Sequence, residues 1–236
     1  SAFDRSSDFY SLTAENGYNQ LVSAHSPKVS GVYSTILDAA GETDVLGIAL
    51  AGSYAKRKFG SDNVETGGSW DFDEGLEEFE LRDYSISRER IGLALNLDYR
   101  PGNNNEYYLR TLYSEFSDDE TRQGLVVELT EPQFALSSGE AELIRSLKQR
   151  KETQTISAVV LGTQQQVGNW QWQLEAGASN ADEDTPFNIS GADFVQEFAD
   201  NIGFSGGKVL RLAAPDEASQ ADGYELKEVE MGDTYT

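Results

Sequence analysis

The chain contains no cysteine, a single histidine (His25) and only five prolines among its 236 residues. The absence of cysteine excludes disulfide frameworks, thiolate zinc sites, iron–sulfur clusters and cysteine nucleophiles. A lone histidine cannot support a multi-histidine metal site, and it makes the usual nucleophile–base pairs of hydrolases hard to assemble. We expect His25 to be an ordinary polar residue in a loop or at a strand end. We predict no catalytic residue, no metal site and no cofactor.

Basic residues and long apolar runs are also scarce. Lysine and arginine total 18 against 41 aspartates and glutamates, which gives a formal net charge of −23. Such a charge argues against nucleic acid as a partner, because neutralising phosphates requires a basic surface. No run approaches 18 apolar residues, so the sequence predicts no membrane-spanning helix. The eleven tyrosines and eleven phenylalanines nevertheless indicate an ordered structure whose apolar residues are thinly spread.

Strict alternation of apolar and polar residues is the clearest pattern present. Between residues 91 and 99 the odd positions are Ile, Leu, Leu, Leu and Tyr, and the even positions are Gly, Ala, Asn and Asp. Residues 46–54 and 170–178 repeat the pattern, which is typical of β-strands with one apolar face. We predict an all-β, antiparallel up-and-down meander with strands at about 8–15, 28–38, 45–57, 88–100, 106–116, 152–163 and 170–179.

The predicted connections alternate between short and long. Short turns at 39–44, 101–105 and 164–169 would lie at one end of the meander, and long acidic loops at 59–87, 117–150 and 180–236 at the other. Two loop segments have helical spacing of apolar residues and are predicted to form short helices, the second with Ser190 as its N-cap. These segments are 139–150 (Leu143, Ile144, Leu147) and 190–201 (Phe194, Val195, Phe198, followed by Ile202).

Two environments could meet the apolar face of these strands. A soluble sandwich would bury Leu93, Leu95 and Trp172 under a second sheet, whereas a membrane barrel would turn them to lipid. Small residues on the polar face and aromatic residues at strand ends, such as Tyr99, favour lipid. At roughly 3.3 Å per residue and a tilt of about 40°, residues 91–99 rise about 23 Å, close to an outward apolar band of about 25 Å. We therefore expect a partial transmembrane β-barrel with extracellular loops carrying short helices.

Two long stretches resemble the early barrel of TonB-dependent outer-membrane receptors. They are residues 88–101 (RERIGLALNLDYRP) and 105–123 (NEYYLRTLYSEFSDDETRQ). The opening residues 1–5 are similar to the stretch after the plug domain of that family, and residues 224–230 are similar to a loop segment before a later strand. The resemblance implies one segment, 1–236, of a 22-stranded barrel in the bacterial outer membrane. It also implies the missing strands, the plug, TonB (through that plug) and the lipid bilayer as partners.

The candidate ligand-binding residues are Trp70, Asp71, Phe72 and Asp73, which interleave aromatic rings with carboxylates. Rings stack on sugars and carboxylates accept hydrogen bonds from hydroxyls, while several carboxylate oxygens could also hold Ca²⁺. The alternative interpretation is a solvated outer loop. The acidic run 118–120 could be a metal or catalytic cluster, but we expect it to mark where the fifth strand leaves the membrane.

We expect an outer-membrane receptor segment for TonB-dependent uptake of a nutrient ligand, either oligosaccharide-like or siderophore-like. Acidic outer loops repel anions at low ionic strength, which favours a neutral ligand. A second hypothesis is a soluble acidic β-sandwich that binds carbohydrate through its aromatic loops. A third is a barrel enzyme that uses a carboxylate–histidine pair around His25.

Overall fold

The computed structural model describes residues 1–5, 7–102 and 104–232, and these are almost entirely β-structure. Three short 3₁₀ segments lie at Ala2–Asp4, Asp216–Ser219 and Ala221–Gly223. No helix among the described residues is long and apolar enough to cross a lipid bilayer. The strands are β1 (Phe9–Asn19), β2 (Ala24–Ala39), β3 (Glu42–Glu65), β4 (Trp70–Asp71), β5 (Gly75–Tyr99), β6 (Asn105–Gln133), β7 (Ser138–Val167), β8 (Trp170–Asp184), β9 (Ile189–Ser205), β10 (Arg211–Ala213) and β11 (Glu225–Met231).

All described strands belong to one open sheet. Its order is β1-β2-β3-β5-β6-β7-β9-β10, with β4 beside β5, β8 beside β7 and β11 beside β9. Strand β7 pairs with β8 over residues 153–167 and with β9 over residues 138–149. The pairs β1–β2, β2–β3 and β7–β8 are antiparallel, which confirms the predicted up-and-down meander.

Most of the residues predicted to lie in long loops are strand residues. Strand β3 continues to Glu65 and β5 begins at Gly75, so the loop predicted at 59–87 is far shorter. The predicted loop at 117–150 is reduced to residues 134–137 between β6 and β7. The charged side chains fit a strand because they alternate with apolar ones. In β5, Arg82 forms ion pairs with Glu80 and Glu65, while Phe79 is fully buried.

Both predicted helices are wrong. Residues 139–150 lie in β7 and residues 190–201 lie in β9, with Ser190 inside the strand. Apolar residues four positions apart, such as Leu143 and Leu147, lie on one face of a helix. They also lie on one face of a strand, because every second residue of a strand points to the same side. The partner strand decides between them, because Leu143 pairs with Gln196 and Ala141 with Phe198.

The chain divides into two compact units. Unit 1 comprises Ser1–Lys58, Ser87–Asp118 and Glu152–Asp184, and unit 2 comprises Phe59–Ile86, Asp119–Lys151 and Thr185–Thr236, of which 233–236 lie outside the described residues. The buried apolar cluster lies entirely in unit 2, where one side of β5, β6, β7 and β9 is covered by the segment that holds Ala218 and Tyr224. Its most deeply buried side chains are Leu76, Phe79, Val127, Leu143, Ile202 and Phe204.

Candidate functional site

Unit 1 has one apolar face that is built from several strands. Residues directly opposite each other in an antiparallel pair point to the same side of the sheet. The register places Tyr33 opposite Leu50 and Leu37 opposite Leu46, and on β7 and β8 it places Thr163 opposite Leu174. We call this the apolar face; it comprises Tyr10, Leu12, Val29, Tyr33, Leu37, Leu46, Ile48, Leu50, Tyr54, Ile91, Leu93, Leu95, Leu97, Tyr99, Tyr107, Leu109, Val159, Leu161, Trp172 and Leu174.

The apolar face is not covered by protein. Leu93 is 51% exposed, Trp172 47% and Leu174 65%. The described residues form a single sheet, so no second sheet of that part of the chain lies over these side chains. Soluble monomers rarely expose contiguous apolar patches of more than a few hundred Å². An exposed face that extends over seven strands therefore requires a partner or an apolar medium.

Aromatic residues lie at the end of the apolar face next to the short turns. The rings of Tyr99 and Tyr107, which flank the turn between β5 and β6, stack with their centroids 6.2 Å apart. Trp170 and Trp172 begin β8 directly after the turn from β7, and Trp170 is largely exposed. In membrane proteins, Trp and Tyr rings are enriched at the membrane–water interfaces.

The opposite side of the same strands is polar and carries a buried ion pair. The fully buried Asp98 carboxylate is paired with Arg110, and it also accepts a 2.8 Å hydrogen bond from the Ser1 hydroxyl. Phe3 packs so closely over Gly47 that a Cβ there would lie 2.8 Å from its ring. The N-terminal 3₁₀ segment is thus held on the polar side of unit 1.

The turn that contains the predicted ligand residues is a small hairpin in unit 2. Trp70 pairs with Leu76, and its ring makes an edge-on contact with Phe204 of the buried cluster. The Asp71 carboxylate accepts hydrogen bonds from the backbone N–H of Asp73 at 2.7 Å and of Glu74 at 3.2 Å. One of the two predicted carboxylates is therefore occupied within its own turn.

Phe72, at the tip of this hairpin, is 92% exposed. Within the described ranges no three acidic or histidine side chains are arranged to hold a metal ion. The ligand-binding role of residues 70–73 stays a prediction. The structure keeps these four residues together in one hairpin.

The other two polar candidates have ordinary structural partners. The His25 Nδ1 atom lies 2.9 Å from the Asn16 amide nitrogen, and its ring lies against Tyr18. Asp118 is buried and accepts two 3.2 Å hydrogen bonds from the Arg88 guanidinium. It lies within β6, which continues to Gln133, so the acidic run 118–120 does not end a strand.

A cavity of about 680 Å³ in unit 2 has no counterpart in the sequence predictions. Three consecutive residues from each of the neighbouring strands β3, β5, β6 and β7 line it, together with one residue of β9 and one of the segment after β9. We call it the unit 2 cavity; its lining residues are Asp62, Asn63, Val64, Leu81, Arg82, Asp83, Gln123, Gly124, Leu125, Arg145, Ser146, Leu147, Phe194 and Val209.

Three glutamates on the neighbouring strands β5, β6 and β7 of unit 2 lie close enough to affect the pKa of the central one, Glu128. Partial burial raises the pKa of Glu128, and the negative charges of Glu142 and Glu78 raise it further. Lys227 of β11 donates a 3.0 Å hydrogen bond to Glu142, and this bond raises the pKa of the lysine.

No protein-family model, curated protein or solved structure was found to match this chain.

Proposed function

We propose that the chain is a β-barrel segment of an outer-membrane receptor that takes up a nutrient ligand with energy supplied through TonB. The observation that carries this proposal is the uncovered apolar face of unit 1. Leu93, Trp172 and Leu174 are between 47% and 65% exposed although they lie on hydrogen-bonded strands of the sheet. In lipid such side chains need no protein cover, because the acyl chains are themselves apolar.

The edges of unit 1 support the same proposal. Among the described residues β1 pairs only with β2, and β8 pairs only with β7. Each outer edge therefore presents a row of backbone N–H and C=O groups without a strand partner. In hydrocarbon each unpaired backbone group costs several kcal/mol, so only closed sheets cross a bilayer in β-form. We infer that further strands of a larger barrel pair with β1 and β8.

The polar side of unit 1 suits a barrel interior. Gly92, Ala94 and Asn96 are small or uncharged, and Asp98 is neutralised by Arg110. The N-terminal 3₁₀ segment is held on this side, where the resembling receptors hold their plug domain. With a chain of net charge −23, a neutral ligand such as an oligosaccharide is favoured over an anionic one.

Tryptophan quenching by lipids with brominated acyl chains tests the proposal, because only indoles in contact with those chains are quenched. The natural Trp70, Trp170 and Trp172 are first replaced by phenylalanine. One new tryptophan is then introduced, either as Leu93→Trp on the apolar face or as Leu112→Trp on the polar side. The two leucines form a matched pair, with exposed fractions of 51% and 48%.

We expect brominated lipid to quench the tryptophan at position 93 strongly and the one at position 112 weakly. Equal quenching at both positions, or none at either, would mean that lipid does not distinguish the two sides. The soluble-sandwich alternative predicts no quenching and a protein that is monodisperse without detergent. The third hypothesis, a hydrolase, gains no support from His25, whose hydrogen-bond partner is Asn16.

A further inference from the structure

We propose that the unit 2 cavity is a binding site for small organic cations that have an apolar body. Every lining residue belongs to unit 2, so the proposal stands independently of the medium that meets unit 1. Its volume of about 680 Å³ falls in the range of about 300–1,000 Å³ that is typical of small-molecule sites.

The wall of the cavity is apolar and continues the buried cluster. Leu81 and Leu125 pack against that cluster on one side and line the cavity on the other. Leu147 lines the cavity too, and Phe194 and Val209 are partly exposed there. The segment that covers the buried cluster thus leaves a concave apolar surface open beside it. A ligand with an apolar body would gain free energy by displacing water from this surface.

The charged side chains of the cavity lining determine which charge on a ligand is favoured. Asp62 on β3 and Asp83 on the neighbouring β5 are exposed, and they have no hydrogen bond or ion pair within the described part of the chain. The two arginines of the lining are already engaged. Arg145 donates a 3.1 Å hydrogen bond to the Ala218 carbonyl and its guanidinium lies 4.5 Å from the Tyr224 ring centre, and Arg82 forms ion pairs with Glu65 and Glu80.

Two unpaired carboxylates beside an apolar wall favour a ligand with a positive charge. Phe194 adds an aromatic face, which attracts cations through its ring quadrupole. A neutral alkyl chain would use only the wall, and an anion would be repelled by both aspartates. A cationic ligand with an apolar body satisfies all of these features at once.

The test compares three probes of similar size in titrations followed by ligand-observed NMR with the whole chain in a non-ionic detergent. Benzyltrimethylammonium is the cation, neopentylbenzene is its neutral carbon isostere and benzenesulfonate is an anion. We expect saturable binding of the cation, with the other two probes at least about tenfold weaker, as two partly screened charge contacts would give.

Two double variants locate the site. Asp62→Asn with Asp83→Asn should weaken binding of the cation about tenfold and leave binding of neopentylbenzene unchanged. Asp182→Asn with Asp184→Asn removes the same charge from exposed positions on β8, outside the cavity, and should change affinity less than twofold. Equal weakening by both double variants would show a general field effect and overturn the proposal. So would tighter binding of either the neutral probe or the anion, or the absence of saturable binding of the cation.

Discussion

Replacing Leu93 by arginine measures directly which medium the apolar face meets. Leu93 is 51% exposed on the apolar face, and Leu112 is 48% exposed on the polar side that also holds Arg110. The two positions thus share residue type and exposure and differ only in the side of the sheet. If water meets both, each arginine should change the free energy of unfolding by no more than about 0.5 kcal/mol.

Lipid predicts a different result at the two positions. Arginine on the lipid face of a barrel costs about 2–4 kcal/mol at the bilayer midplane and about 0–1 kcal/mol near the interfaces. Leu93 lies between these depths in the proposed orientation, so we expect Leu93→Arg to cost about 1–3 kcal/mol. Leu112→Arg points away from the lipid and should cost less than about 0.5 kcal/mol.

The assay is urea unfolding of the protein in phosphatidylcholine vesicles, with tryptophan fluorescence as the signal. The difference between the two arginine variants carries the result, because any general effect of a new positive charge is common to both. Equal costs at positions 93 and 112, whether small or large, would refute the assignment of the apolar face to lipid. Leu93→Ala serves as a further control, since it removes apolar area without adding charge.

Three further predictions concern packing and titration. Gly162→Ala should cost about 1–3 kcal/mol in denaturant unfolding, because the new Cβ would lie 2.1 Å from the Tyr108 ring; an unchanged unfolding midpoint would contradict this contact. Leu143→Ala should cost about 2–5 kcal/mol, since Leu143 is fully buried in unit 2. A variant with an unchanged thermal unfolding midpoint would argue against the buried cluster. Glu128→Gln should stabilise the protein slightly at pH 7, by at most about 1–2 °C in Tm, and should have no effect below about pH 4. The sign follows because the pKa of Glu128 is raised in the folded state, so the native carboxyl binds more protons and stability falls as pH rises above the unfolded pKa. A gain that is equally large at acidic pH would contradict that cause.

The sequence allowed the strands of unit 1 to be predicted because their two faces differ sharply. In residues 91–99 every large apolar side chain lies on one face, so a period of two is the only one that fits. In unit 2 the same method failed, because Phe194 and Phe198 are spaced by four and fit either a helix or a strand. Backbone pairing with a distant strand decided between them, and no local pattern reports such pairing.

The candidate sites show the same limit. Residues 70–73 were recognisable as a group because they are adjacent in the chain, and the structure keeps them in one hairpin. The unit 2 cavity collects residues from Asp62 to Val209. No spacing rule connects such positions without the strand register. From the sequence alone, Asp62 and Asp83 would have been interpreted as two ordinary surface charges.

Strand β6 extends without interruption from Asn105 to Gln133, and its odd-numbered residues include both Leu109 of the apolar face and the buried Val127. Inserting or deleting one residue between Leu109 and Val127 would move one of these two side chains to the opposite face of the sheet, because side chains alternate along a strand. A substitution in this strand changes one side chain. The insertion or deletion of one residue would move every side chain on one side of that point to the opposite face of the sheet. Length variation among natural versions of this protein should therefore concentrate in the turns, or occur inside the strand in steps of two.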